Sequence, residues 1–327
     1  MKTYLLSLIL SIVFTFISGL IFIPILKKIK CGQPILKYVE SHKEKSGTPT
    51  MGGLFFILPS IIIFMFFGGL ESKIGAVSMT VGLAFMLVGF IDDFIKIKSK
   101  DNQGLKAYQK IIFQGAIAVF TGIFTYYNGL TEFYLPFTTK TVNLGLFAPF
   151  FVAFIFIAIT NSVNLTDGLD GLAGSVSLPY LFFISTLILL QINRLQNAQN
   201  LTFEYKKVVL LSWSIIGGLL GYLIFNVSKA KVFMGDTGSL SLGGFIGAIS
   251  IFTANGFYIP IIGIMFALSS ISVIVQVIHF KKTGKRVFLM APLHHHFQLK
   301  GYSEAKISYV YSVITFILGA ISVLSYL

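Results

Sequence analysis

Residues 161–171, N-S-V-N-L-T-D-G-L-D-G, hold more chemistry than a turn between apolar segments requires. Two amides (Asn161, Asn164), the hydroxyl of Thr166, two carboxylates (Asp167, Asp170) and two glycines (Gly168, Gly171) lie between the apolar runs 145–159 and 172–190. If this stretch is helical, Asp167 and Asp170 share a face. Carboxylates so placed repel unless a cation, a proton or a basic group lies between them. Helix N-caps also favour Asp, Asn and Thr, but one cap needs one such residue, not five.

Four further segments carry similar chemistry. Residues 45–53, K-S-G-T-P-T-M-G-G, put Lys45 and the hydroxyl of Thr50 among glycines. That suits a phosphate, and it equally suits a loop with a helix cap. Asp92 and Asp93 close an apolar run and are followed by Lys96, Lys98 and Lys100, with Lys106 and Lys110 just beyond. Adjacent helical residues point about 100° apart, so one carboxylate can face a site while the other caps, pairs with lysine or orients its neighbour. An acidic pair at a helix C-terminus opposes the macrodipole, which weakens a purely structural reading. Asn226 ends another run, and F-M-G-D-T-G-S at 233–239 opens the next. Asp236 there is either a helix cap or, set opposite Asp167 and Asp170, a ligand for a hard cation such as magnesium. Lastly, A-P-L-H-H-H-F at 291–297 follows the basic run 281–286, with Gln276 and His279 before it. Consecutive histidines on a helix fan apart, which argues against zinc and for hydrogen bonding to phosphate or to a carboxylate.

The elements that position these groups are membrane helices. The 327 residues are 55% hydrophobic and 11% charged, the composition of a polytopic membrane protein. Ten apolar spans are expected at 4–26, 51–70, 74–95, 109–128, 145–160, 170–190, 207–225, 238–255, 257–279 and 305–326, the fifth short and the eighth glycine-rich. Residues 4–26 are too long for the apolar core of a removable signal peptide and lack a small-residue cleavage site. The fold class is therefore all-α, a single integral-membrane domain over 1–327. The single cysteine, Cys31, excludes an intramolecular disulfide.

With the N-terminus outside, 18 of the 25 lysines and arginines fall in inside loops, as the positive-inside rule requires. The same rule accounts for the net charge of +13 without a nucleic-acid partner. Both termini are then outside, and all five polar segments meet on the cytoplasmic side, which argues for one site. The outside loops hold only an alternating stretch, 131–144, that reads as a small hairpin.

The motifs S-G-T-P-T-M-G-G at 46–53, Asp92-Asp93, N-L-T-D-G-L-D-G at 164–171, F-M-G-D-T-G-S at 233–239 and A-P-L-H-H-H-F at 291–297 resemble, in order and over essentially the whole chain, those of the phospho-N-acetylmuramoyl-pentapeptide-transferases. These enzymes belong to the superfamily that moves N-acetylhexosamine 1-phosphates onto polyprenyl phosphates. The resemblance implies a multi-pass protein of the bacterial plasma membrane. It also implies transfer from UDP-N-acetylmuramoyl-pentapeptide to undecaprenyl phosphate with magnesium (Mg2+), giving lipid I and UMP, and a homodimer. It assigns Asp236 to the metal on the donor pyrophosphate, Asp92 to the acceptor phosphate and Asp93 to orienting Asp92. Asn164, Asp167 and Asp170 would line the nucleotide and sugar site, and Asn226 and Phe233 would contact uracil. Lys45, Thr50, Lys110, Gln276, His294, His295 and His296 would complete the pocket.

Two other readings make distinct predictions. A related enzyme using UDP-N-acetylglucosamine would keep the acidic residues and change the sugar-recognition loop. A transporter or lipid flippase would place polar groups at mid-membrane and show repeats, whereas here they cluster towards one side and no repeat is evident.

Overall fold

The computed structural model describes residues 1–28, 47–99, 104–195, 198–227 and 229–327. Among these, helices run Lys2–Lys28 (α1), Gly53–Phe66 (α2), Lys73–Ser99 (α3), Ala107–Tyr127 (α4), Ala148–Thr166 (α5), Leu172–Arg194 (α6), Gln199–Asn226 (α7), Gly235–Phe252 (α8), Ile259–Ile262 (α9), Ile264–Thr283 (α10), Leu293–Leu299 (α11) and Glu304–Leu324 (α12). The stretch between α4 and α5 forms the expected hairpin. Its strands, Glu132–Tyr134 (β1) and Thr141–Asn143 (β2), pair antiparallel with Phe133 opposite Val142.

Each of the ten expected spans overlaps a helix, and among the described residues eight helices are long and apolar enough to cross a membrane. The fifth span is longer than the sequence suggests. A 3-10 turn at Gly145–Phe147 feeds α5, and the apolar run continues to Thr166, making 22 residues. The exceptions are α2, with 14 residues, and α8. Every residue of α8 except Asp236 is buried inside the protein. A helix surrounded by other helices rather than lipid can hold glycine and serine throughout.

The polarity of the outer helices is inverted accordingly. In α1 the inward positions are Ser7, Ser11, Thr15 and Gly19, while Leu5, Ile9, Phe16 and Leu20 are exposed. This four-residue stripe of small side chains packs on α7, where a Cβ at Gly217 would lie 2.3 Å from the Leu8 carbonyl. Close backbone approach of this kind substitutes for the hydrophobic drive that lipid does not supply.

The contact that matters most for function is between α3 and α8. A side chain at Gly82 would collide with Phe245, and one at Gly89 would sit 2.0 Å from the Asp236 carbonyl. The Ser241 hydroxyl donates to the Gly82 carbonyl at 2.9 Å. These two helices therefore touch backbone to backbone, which brings the end of α3 onto the start of α8.

Candidate functional site

Asp92 and Asp93 lie in the last part of α3 and are both buried. Asp93 turns towards α8. Its Oδ2 accepts from the Thr237 amide (2.9 Å) and hydroxyl (2.7 Å), and its Oδ1 accepts from the Asp236 amide (3.2 Å). It thus caps the N-terminus of α8 from a different helix, satisfying amides that this end leaves without intrahelical partners. No side chain of its own segment caps α8, so the local cap considered for Asp236 is not what forms. Gly235, at φ 71°, makes the turn into α8; a Cβ there would meet Asp93 Oδ2 and Thr50 Oγ1, each at 2.5 Å. Position 235 therefore requires glycine on both conformational and steric grounds.

Asp92 faces the other way. Its Oδ1 accepts from the Leu105 amide at 2.7 Å, and its Oδ2 pairs with Lys96 at 2.7 Å and Lys110 at 3.0 Å. Asp236 shares both lysines: Lys96 lies 3.1 Å from its Oδ2 and Lys110 is closer still. Asn164, near the end of α5, donates to Asp236 Oδ1 and to the Ser239 hydroxyl, both at 2.8 Å. Four helices thus converge on one cluster of three carboxylates, two ammonium groups and an amide.

The donor set suits a hard divalent cation. Asp92, Asp93 and Asp236 each offer a carboxylate oxygen, and these oxygens lie within 4.8 Å of one another. Magnesium binds oxygens at about 2.0–2.1 Å, so small side-chain rotations would bring such a set into range.

The loop between α5 and α6 is shorter than the chemistry-rich stretch around it. Asn161, Asn164 and Thr166 belong to α5, and only residues 167–171 turn. Asp167 and Asp170 therefore do not share a helix face, and α6 starts on Gly171 with no side-chain cap. Burial, with Asp236, Asp93 and Asp170 nearby, pushes the Asp167 carboxyl up to about 8. Asp170 points elsewhere: its Oδ2 accepts from the Ala230 amide at 2.9 Å, and its own amide donates to Glu304 Oε2 at 2.9 Å. Asn226 joins the same loops. It accepts from the Gly171 amide (2.9 Å) and donates to the Val232 carbonyl (2.8 Å). On this side lies a cavity of about 660 Å³ lined by Asp170, Ser175, Lys229, Glu304, Ser308 and Tyr309, among others.

Residues 49–53 strap down the segment before α8. The Phe233 amide donates to the Pro49 carbonyl (2.8 Å), and the Gly52 and Gly53 amides donate to the carbonyls of Phe233 and Met234 (2.8 and 3.0 Å). This leaves the Phe233 ring half-buried. Among the described residues the buried Thr50 hydroxyl has no hydrogen-bond partner, and it does not cap α2, whose N-cap is Gly52. Lys45 lies outside the described residues.

The three histidines do fan apart. His294 is fully buried against Gly168, and neither of its ring nitrogens has a partner among the described residues. Burial, with His295 beside it, pushes its imidazole down to about 3. His295 Nδ1 lies 3.0 Å from Gln298 Oε1, and His296 Nδ1 accepts from the Leu289 amide at 3.2 Å. Gln276 is not brought to the carboxylates. Its amide holds the loop after α10, accepting from the Val287 and Phe288 amides at 3.0 and 2.9 Å.

Sequence reasoning passed over Lys96, Thr237, Ser239 and Glu304 as site residues. Lys96 had a usable signal, since a lysine four residues after an aspartate on a helix reaches it. Glu304 had none, because its link to the 167–171 loop is made only by the packing of α12 on α6.

Comparison with known proteins identifies the family of the chain. Residues 75–254 match the family described as glycosyl transferase family 4, and residues 45–57 match phospho-N-acetylmuramoyl-pentapeptide-transferase signature 1. The chain is 42% identical over 317 residues to the phospho-N-acetylmuramoyl-pentapeptide-transferase of Clostridium botulinum (strain Alaska E43 / Type E3), covering 97% of this chain and 94% of the relative. It is 43% identical over 322 residues to that of Clostridium novyi (strain NT), covering 98% and 95%. The enzyme of the same name from Clostridioides difficile (strain 630) is 40% identical, with 94% and 93% covered.

Proposed function

The chain belongs to the phospho-N-acetylmuramoyl-pentapeptide-transferases of glycosyl transferase family 4, and on that premise we propose how its geometry carries the reaction. The donor is UDP-N-acetylmuramoyl-pentapeptide and the acceptor is undecaprenyl phosphate. An acceptor phosphate oxygen attacks the donor β-phosphorus. A new phosphorus–oxygen bond forms, the bond from that phosphorus to the bridging oxygen breaks, and UMP leaves with the bridging oxygen. The products are lipid I and UMP.

The observation that carries this reading is the cluster at Asp92, Asp93, Asp236, Lys96 and Lys110. Phosphoryl transfer needs its reactants held in line and its developing charge neutralised. Asp236 and its neighbours would hold Mg2+, which when bound supplies charge neutralisation on the donor pyrophosphate. Lys110 is 23% exposed and sits between Asp92 and Asp236, so it can donate to phosphate oxygens arriving at the open side. Asp93 fixes the backbone of Asp236. A phosphate monoester ionises a second time near pH ~6 and is already nucleophilic at neutral pH, so Asp92 positions the acceptor and its lysines rather than having to take a proton.

The cavity beside Asp170 is of nucleoside size, and Phe233 is available to stack on uracil. Asn226 shapes this side through the backbone at 171 and 232. Asp167 and His294 would both face the sugar phosphate, His294, packed against Gly168, as a neutral hydrogen-bonding group. The site opens to the cytoplasm of a bacterial plasma membrane, where the soluble donor arrives and the acceptor phosphate lies at the surface. A second copy of the chain completes the assembly.

The test is UMP release by the purified protein in detergent with both substrates, with and without magnesium. Asp236→Asn and a parallel UDP-N-acetylglucosamine reaction run beside it. Magnesium-dependent UMP from the muramoyl donor alone, lost in Asp236→Asn, is the expected result. Turnover of the glucosamine donor instead would move the substrate, and release without magnesium would remove the metal.

A further inference from the structure

Lys96 does more than balance charge. Its ammonium nitrogen lies 2.7 Å from Asp92 Oδ2, 3.1 Å from Asp236 Oδ2 and 3.9 Å from Asp93 Oδ1. These are the same three carboxylates whose oxygens gather within 4.8 Å as a candidate metal set. Among the described residues Lys110 pairs with Asp92 and Asp236 but not with Asp93. Of the two lysines, Lys96 is therefore the one placed among all three acids. It is also held there from its own helix, one turn beyond Asp92, so it cannot drift away by a loop motion.

A divalent cation bound to these oxygens at about 2.1 Å would come within van der Waals distance of that ammonium group. Two cations so close repel strongly in a site largely shielded from water. From this we infer that Lys96 is a built-in stand-in cation: its ammonium and a divalent metal occupy the three-carboxylate site in alternation. Without metal, Lys96 holds the three acids together against their mutual repulsion. With metal, its four-carbon stem swings the ammonium to the open side, where it can meet the phosphates of the substrates. The lysine is thus a positioning residue, delivered to the phosphates by the metal that displaces it. The inference rests on the metal reading of the site, and its test does not depend on turnover.

The experiment is a manganese titration of the full-length protein in detergent without substrates, with free Mn2+ read by electron paramagnetic resonance. Lys96→Met is expected to bind Mn2+ about tenfold more tightly than the unaltered protein, because nothing has to be displaced. Lys98→Met removes the same charge from an exposed position on the same helix and is expected to change affinity by less than about twofold, since a solvated charge is screened. Equal affinity in Lys96→Met and the unaltered protein would overturn the exchange. So would an equal gain in Lys98→Met, which would reduce the effect to overall charge. Absence of Mn2+ binding by every form would overturn the metal reading and the exchange with it.

A second measurement needs no variant. Acetylation of Lys96 by a small amine reagent, read by peptide mass spectrometry, is expected to rise several-fold when saturating Mn2+ drives the ammonium out of the cluster. Reactivity that stays level or falls would overturn the exchange even if Lys96→Met did not fold.

Discussion

Asp92 and Asp93 are neighbours of the same type, and the step of about 100° between adjacent helical residues gives them different work. Asp93 accepts three hydrogen bonds at the head of α8, whereas Asp92 pairs with two lysines. Removing the Asp93 carboxylate leaves buried donors of Thr237 unpaired, a loss of about 1–3 kcal/mol. Asp93→Ala is therefore expected to lower the melting temperature in detergent and to reduce turnover as Asp236 shifts. Asp92→Asn is expected to lower kcat by about a hundredfold or more through lost electrostatic positioning, with a much smaller melting shift. Equal melting losses in the two variants would contradict this division. His294 makes a prediction about pH. Burial holds its imidazole at about 3, below the free value near ~6.5. The folded state thus takes up fewer protons than the unfolded one, and stability is intact above the free value. It falls as pH drops from there towards the folded value, by up to about 1.4 kcal/mol per unit. The melting temperature is expected to decline from pH 7 to pH 5, and His294→Gln to flatten that decline.

At the scale of elements, the site exists because α3 and α8 lie backbone to backbone. Gly89→Ala would put a methyl group 2.0 Å from the Asp236 carbonyl, and a backbone cannot rotate out of the way as a side chain can. The helices must separate, at an overpacking cost of about 1–3 kcal/mol, and the carboxylates separate with them. Activity is expected to fall at least tenfold, measured as UMP release, alongside a lower melting temperature. Gly115→Ala in α4 meets nothing within 4 Å and is expected to leave activity unchanged; if both variants behaved alike, close approach would not be the cause. The same contact marks the boundary of what the sequence discloses. Long apolar runs with polar residues at their ends are visible one segment at a time, so the all-α membrane character and the positions of the long helices could be read directly. The hairpin was legible too, from its alternation. The end of α5 was not, because Asn161 and Asn164 look like loop residues until α4 supplies Gln114 to the first and α8 supplies Asp236 and Ser239 to the second. Lys96 and Glu304 act through contacts between helices far apart in sequence, and no local pattern announces those. Nor does the sequence show that Gln276 holds the neighbouring loop at 287–288.

For the molecule as a whole, the question is which end faces the cytoplasm. The bundle has two chemically distinct ends. One carries the carboxylate cluster, the histidines and the basic stretch Lys281–Arg286. At the other, the hairpin meets the end of α6 and the chain terminus: Tyr134 packs on Tyr326, and Arg194 lies 4.7 Å from the Tyr326 ring and donates to its carbonyl at 3.0 Å. Eighteen of the 25 lysines and arginines fall in the stretches that the sequence assigns to the first end, so the positive-inside rule predicts that it faces the cytoplasm. The chemistry asks for the same orientation, because a nucleotide-linked donor is made in the cytoplasm and cannot cross lipid. Single-cysteine labelling decides it. With the lone Cys31 changed to serine, a membrane-impermeant maleimide is expected to label Lys140→Cys, in the exposed hairpin turn, on intact cells. Lys285→Cys, exposed beyond α10, is expected to label only after permeabilisation. The reverse pattern would put the acidic cluster on the outside, away from its donor, and a chain with so strong a charge bias would then have inserted against it.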